Sequence, residues 1–90
     1  MTFYYTYILL SEKDDKFYIG FTSNMKQRIE DHSSGKVSST KSRRPLKLVY
    51  FEGHLSKYDA LRREKYFKTS AGKKSLRLMI RDSLDNLTSI

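Results

Sequence analysis

The run Phe3-Tyr4-Tyr5-Thr6-Tyr7-Ile8-Leu9-Leu10 constrains the fold more than any other part of the chain. It is aromatic and branched, and apolar at both odd and even positions, so as a strand it needs cover on both faces. In a chain of 90 residues everything else must then pack around this strand. A chain of that size buries only roughly 60–65% of its unfolded surface. One domain over residues 1–90 is expected, with a compact core shared by a few elements. The run is far shorter than the ~20 apolar residues of a membrane span. No basic segment precedes it, so no secretory leader is expected.

The remaining elements follow from local chemistry. Glu12 to Asp15 is polar and turn-prone, and Lys16 to Phe21 reads as a second strand close enough to form a hairpin with the first. Alternation puts Phe17, Ile19 and Phe21 on one face and Tyr18 on the other. Ser23 or Asn24 caps a helix to about Ser34, with Gly35 as its stop. Residues 36–45 read as a flexible basic loop, and Leu46 to Glu52 as a third strand. Ser56-Lys57-Tyr58-Asp59 is a capping box opening a helix to about Thr69. Ala71-Gly72 is read as its break, and a last helix covers about 73–88 with Leu76, Met79, Ile80, Leu84 and Leu87 on one stripe. The order β-β-α-β-α-α implies an α+β fold, a three-stranded, mainly antiparallel sheet flanked by helices.

Charge is distributed unevenly. The chain has 18 Lys and Arg against 10 Asp and Glu, a formal +8. Residues 35–81 alone carry 14 basic and three acidic side chains, net +11. Such a segment attracts polyanions and releases counterions from a phosphate backbone, so nucleic acid is the expected partner, with no membrane partner. With no cysteine, disulfides, thiolate metal sites and thiol catalysis are excluded, and a cytoplasmic setting is expected.

Polar groups sit where a core should be. In the first helix Met25, Arg28, Ile29 and His32 form one stripe, and in the second Ala60, Leu61, Glu64, Phe67 and Lys68 form another. A buried carboxylate must be paired, metal-bound or at the rim of the core. Taken singly, Glu64 reads as a surface ion-pair partner, Arg28 as a snorkelling side chain, and Tyr7 and Tyr18 as core residues. Together they make a set: two strand tyrosines, an Arg and His one turn apart, and a mid-helix Glu.

This set, in this order, resembles the GIY-YIG nuclease superfamily. The second half of its signature stands as Tyr18-Ile19-Gly20. The first half is degenerate, Tyr5-Thr6-Tyr7 followed by Ile8-Leu9, and is similar to small stand-alone bacterial members. Arg28-x-x-x-His32, Arg43-Arg44-Pro45-Leu46 and Ala60-Leu61-Arg62-Arg63-Glu64-Lys65 complete the likeness, which covers about residues 3–70. Phe21 departs from it, standing where repair-nuclease relatives have a Lys after Tyr-Ile-Gly.

The resemblance implies a layered sheet fold and hydrolysis of phosphodiester bonds in nucleic acid, DNA before RNA, with one divalent cation. Glu64 would hold Mg²⁺ or Mn²⁺, Tyr7 and Tyr18 would align the attacking water, Arg28 would contact the scissile phosphate, and His32 would support a tyrosine or the phosphate. Structure-directed processing or repair of DNA is the expected role, with a protein partner or substrate shape supplying the targeting.

The residues support the same chemistry independently. Glu12, Asp14 and Asp15 fall in a turn and Asp59 in a cap, so Glu64 is the one carboxylate singled out for an ion, and one ion is expected rather than two. The planar fork of Arg28 matches phosphate oxygens. A phenol near pKa 10 is a weak base, and positive charge from Arg28 and the ion is expected to lower it. Tyr7, Tyr18 and His32 all stay open as the base. Lys36, Lys41, Arg43 and Arg44 are the candidate clamp on the nucleic-acid backbone, and His54 is expected to be solvated. Two other classes fit the same residues: a non-catalytic nucleic-acid-binding module with a vestigial site, and an interaction domain presenting its C-terminal helix.

Overall fold

The chain's architecture was obtained as a computed structural model that describes residues 2–88. Met1, Ser89 and Ile90, part of the single-domain reading, lie outside the described residues. The elements are β1 (Tyr4–Ser11), β2 (Phe17–Thr22), α1 (Met25–Ser33), α2 (Ser38–Lys41), β3 (Leu46–His54), α3 (Lys57–Phe67), α4 (Ser70–Met79) and α5 (Arg81–Thr88). The sheet has the order β2-β1-β3, with β1 antiparallel to both neighbours. The doubly apolar run is therefore the central strand, and Thr6 to Ser11 are buried without interruption. Among the described residues no helix is long and apolar enough to cross a membrane.

Alternation along β1 and β2 sorts the residues into two layers. One face carries Ile8, Leu10, Phe17 and Ile19, which pack with Phe67, Leu76 and Ile80 of the C-terminal helical region into the core. The other face carries Tyr7, paired with Gly20, and Leu9, paired with Tyr18. The Thr6 hydroxyl donates to the Ala60 carbonyl at 2.7 Å and holds α3 against β1. In the hairpin, Asp15 takes φ 58, a conformation Asp tolerates better than most side chains.

Four local expectations are corrected. The stretch expected to be a flexible loop contains α2, whose Thr40 is fully buried. Gly72 does not break a helix. It lies inside α4, which Thr69 caps by accepting from the Gly72 N–H at 3.0 Å. The expected single last helix is two, parted at Ile80, whose φ −112 and ψ 25 leave the helical region. Asp59 makes an ion pair with Arg62 rather than closing a capping box, although Ser56 does accept from the Tyr58 N–H.

His54 is not solvated either, because β3 runs on through it. Its Nε2 lies 3.2 Å from Glu52 Oε1. Glu52 also accepts from Arg63 Nε at 2.8 Å, from Arg63 Nη2 at 2.6 Å and from the Tyr50 hydroxyl at 2.8 Å. Arg63 itself lies over the Phe67 ring, 4.4 Å from its centroid. The Arg63 guanidinium above all holds the Glu52 carboxyl down at about 2. A depressed carboxyl stabilises the fold above its ordinary value, so this contribution is expected to be lost as pH falls from about 4.5 towards 2. Glu52→Gln is expected to cost about 2 kcal/mol in urea unfolding at neutral pH, since it strips a charged acceptor from Arg63.

Candidate active site

Asn24 opens α1 by accepting from the Gln27 N–H at 3.2 Å, and the stripe Met25, Arg28, Ile29, His32 turns inward. His32 at its end is 1% exposed. What brings α1 and β1 into chemical contact is Gly20. A Cβ built there would stand only 2.7 Å from Tyr7 Cε1 and closer still to Cζ and the hydroxyl. The Tyr7 ring lies across the glycine, and its hydroxyl extends to α1.

At that point three groups meet. The Tyr7 hydroxyl is 2.8 Å from His32 Nε2 and accepts from Arg28 Nε at 3.2 Å. On its other side, His32 Nδ1 is 2.8 Å from Thr40 Oγ1, which in turn reaches the Val37 carbonyl at 3.4 Å. One tautomer satisfies every partner: Nδ1–H donates to Thr40, and Nε2 accepts the proton of Tyr7. Tyr18 closes the cluster, its ring centroid 5.1 Å from that of His32 and 6.4 Å from that of Tyr7.

Electrostatics agree with that tautomer. Burial, reinforced by Arg28, lowers the pKa of His32 below its ordinary 6.5, so the imidazole is neutral at pH 7. At Tyr7 the Arg28 hydrogen bond lowers the value as expected, but burial outweighs it, and with Arg28 alone the phenol is pushed above its ordinary 10. Tyr7 is thus a proton donor to His32 in the resting protein. Because the His32 pKa is depressed on folding, its stabilising contribution is complete above pH 6.5 and is lost as pH falls through the folded value. Thermal melts from pH 7.5 to 5 are expected to show a steeper loss in the native chain than in His32→Gln.

Glu64 projects from α3 with its side chain 22% exposed, and its Oε2 lies 3.4 Å from Lys68 Nζ. That is a weak, displaceable pair. Its charge acts on the Tyr7 phenol, adding to the upward push. Among the described residues no group of three or more His, Cys, Asp and Glu side chains is placed to hold a metal. A lone, partly exposed carboxylate suits a hard cation such as Mg²⁺, which keeps waters and takes its other oxygens from phosphate.

Of the five residues singled out in the sequence, Tyr7, Arg28 and His32 are in direct contact and Tyr18 lies edge-on to His32. Glu64 touches none of them and is linked to the cluster only through the effect of its charge on the Tyr7 phenol. The basic loop is different. Arg43 is bound by Asp14 at 2.9 Å and by the Lys16 carbonyl at 3.2 Å. Arg44 donates to the carbonyls of Lys41 and Ser33 at 3.1 and 3.2 Å. Lys36 and Lys41 are exposed. Thr40 went unrecognised in the sequence, and only its place in a short polar segment after an inward-facing His hints at it.

Comparison with known proteins adds family context. A family model described as the GIY-YIG catalytic domain matches residues 3–77. A UPF0213 protein of Limosilactobacillus reuteri is 39% identical over 87 residues, covering 93% of this chain and 90% of its own. One from Staphylococcus haemolyticus is 41% identical over 80 residues, covering 88% of this chain and 96% of its own. The solution NMR structure of the UPF0213 protein BH0048 from Bacillus halodurans superposes with a TM-score of 0.55 at 35% identity, covering 88% of this chain and 85% of that one.

Proposed function

Since the chain belongs to the GIY-YIG nuclease family, we propose that it is a divalent-metal-dependent endonuclease that hydrolyses phosphodiester bonds of DNA, directed by substrate structure in DNA processing or repair. The observation that carries this reading is the Tyr7 hydroxyl held between Arg28 Nε and a neutral His32. Glu64 would hold one Mg²⁺ or Mn²⁺, which supplies Lewis-acid polarisation of the phosphoryl group and charge relief at the leaving oxygen.

The chain's own residues handle the proton. As water attacks phosphorus, the bond from phosphorus to the leaving sugar oxygen breaks. The water's proton passes to the Tyr7 oxygen while the Tyr7 proton moves to His32 Nε2, and the leaving alkoxide takes a proton from solvent. His32 already points Nδ1–H at Thr40, so the ring becomes imidazolium without turning. Arg28 keeps the phenol oriented through Nε, and its terminal N–H groups face charge developing on phosphoryl oxygens. Tyr18 walls the water on the β2 side. Burial of His32 and Tyr7 keeps bulk water from competing for this proton path.

The test is incubation of the purified chain with supercoiled and branched DNA in Mg²⁺ or Mn²⁺. Cleavage that EDTA and Glu64→Ala both abolish is the expected result. Intact DNA across both metals and all substrates, with binding retained, would replace the enzyme reading by that of a binding module.

A further inference from the structure

A second cationic centre lies away from these groups, on the helical side of the sheet. A cavity of about 410 Å³ between the β1–β2 turn and α4 is lined by Asp14, Lys16, Phe17, Arg43, Lys73 and Arg77. Four cations thus face one carboxylate. That carboxylate is engaged, since Asp14 accepts from Arg43 Nε at 2.9 Å and from the Lys16 N–H at 3.0 Å. Two of the cations are fixed in place. Arg43 is anchored further by the Lys16 and Phe17 carbonyls at 3.2 and 3.4 Å, and the Arg77 guanidinium sits 4.5 Å above the centroid of the Phe17 ring. Lys73 stands one turn before Arg77 on the same face of α4. Asp14 offsets one of these charges, and the excess that Lys16, Lys73 and Arg77 leave would attract a further anion.

The position of the cavity identifies the anion. Phe17 borders it, and Tyr18, the next residue on β2, belongs to the candidate active site on the opposite face. β2 is an edge strand, with β1 on one side and no strand among the described residues paired beyond it. A nucleic-acid backbone crossing that edge reaches both places.

We propose that this cavity binds a backbone phosphate of the substrate nucleic acid outside the scissile position, through Lys16, Lys73 and Arg77. The inference rests on the nuclease reading for the identity of its ligand, but its test needs no turnover.

Binding of a fluorescent DNA duplex is measured in EDTA over a range of salt concentrations, for the native chain, Lys16→Gln/Lys73→Gln, Lys16→Arg/Lys73→Arg, and Lys57→Gln at the other end of the sheet. Both Lys16 and Lys73 are exposed, and thermal melts check that each variant is folded. The Gln pair is expected to weaken binding and to make the log–log salt dependence shallower by about 1, the change for one phosphate that the protein no longer neutralises. The Arg pair is expected to restore the native slope, and Lys57→Gln to leave it unchanged. A native slope in the Gln pair overturns the proposal, including the case in which inorganic phosphate alone perturbs the NMR signals of residues 73–77. So does a chain that binds no nucleic acid, which would return the cavity to an acidic protein segment. A slope that responds as expected in a chain that never cleaves would sink the nuclease reading alone. Cleavage with an unresponsive slope would sink only the cavity.

Discussion

Tyr7→Phe is expected to lower DNA cleavage by about 10²–10⁴-fold, the range for losing a positioned acid–base group. The substitution removes a single oxygen, and that oxygen is the one touched by both Arg28 and His32. The ring, which lies across Gly20, keeps its packing. Stability is expected to fall by only about 1–2 kcal/mol, because His32 Nε2 loses its partner in a buried setting. The separation matters. A folded variant with DNA affinity near the native value and a collapsed turnover number assigns Tyr7 to chemistry, whereas parallel loss of Tm and turnover would assign it to packing. In the native chain, activity should rise with pH through the depressed His32 pKa, since a protonated imidazole cannot take the proton of Tyr7. In Tyr7→Phe that limb should disappear from the residual rate.

Gly72→Ala is expected to be the most destabilising single-methyl change in the chain. A Cβ at this position would lie 2.6 Å from the Tyr66 carbonyl carbon and 2.9 Å from Phe67 Cα, and nearer still to the Tyr66 oxygen. These are backbone atoms of the preceding helix, so no rotamer change relieves the overlap. Either α4 moves off α3, pulling Leu76 away from Phe67, or the start of α4 unwinds and loses the Thr69 cap. Overpacking of this kind costs about 3 kcal/mol, the upper end of its usual range. For a domain of this size the melting temperature should fall by roughly 15 °C, read by circular dichroism. A shift within about 2–3 °C, under 1 kcal/mol for such a domain, would mean that the two helices do not approach each other this closely.

The elements that could be read in advance were those whose side chains carry a periodic signal. Tyr4 to Ser11 lacks alternation, and lack of alternation is itself the mark of a central strand. Arg28 and His32 stood out because they occupy an inward stripe of α1, where only a polar site explains polar residues. Gly72 was misread because a glycine between helical segments gives one signal for two causes, chain reversal and close approach, and here the second applies. The parting of α4 from α5 at Ile80 was invisible, since Leu76, Ile80 and Leu84 keep helical spacing across it. Thr40 was illegible for another reason. The four residues of α2 have no period of their own, and their position follows from the contact with His32. Local charge counting also left out the cost of burial at Tyr7, because that cost depends on depth in the fold and not on neighbours in the chain.

The central claim, that Glu64 and the tyrosine cluster form one ion-dependent cutting site, is tested most directly by paramagnetic relaxation. Sub-stoichiometric Mn²⁺ added to the ¹⁵N-labelled chain broadens signals according to their distance from the bound ion and detects weak binding. Broadening centred on Glu64 and extending to Tyr7, Tyr18 and Arg28, and absent in Glu64→Ala, is the predicted result. Broadening centred instead on Glu52 or Asp14, or retained in Glu64→Ala, would contradict it.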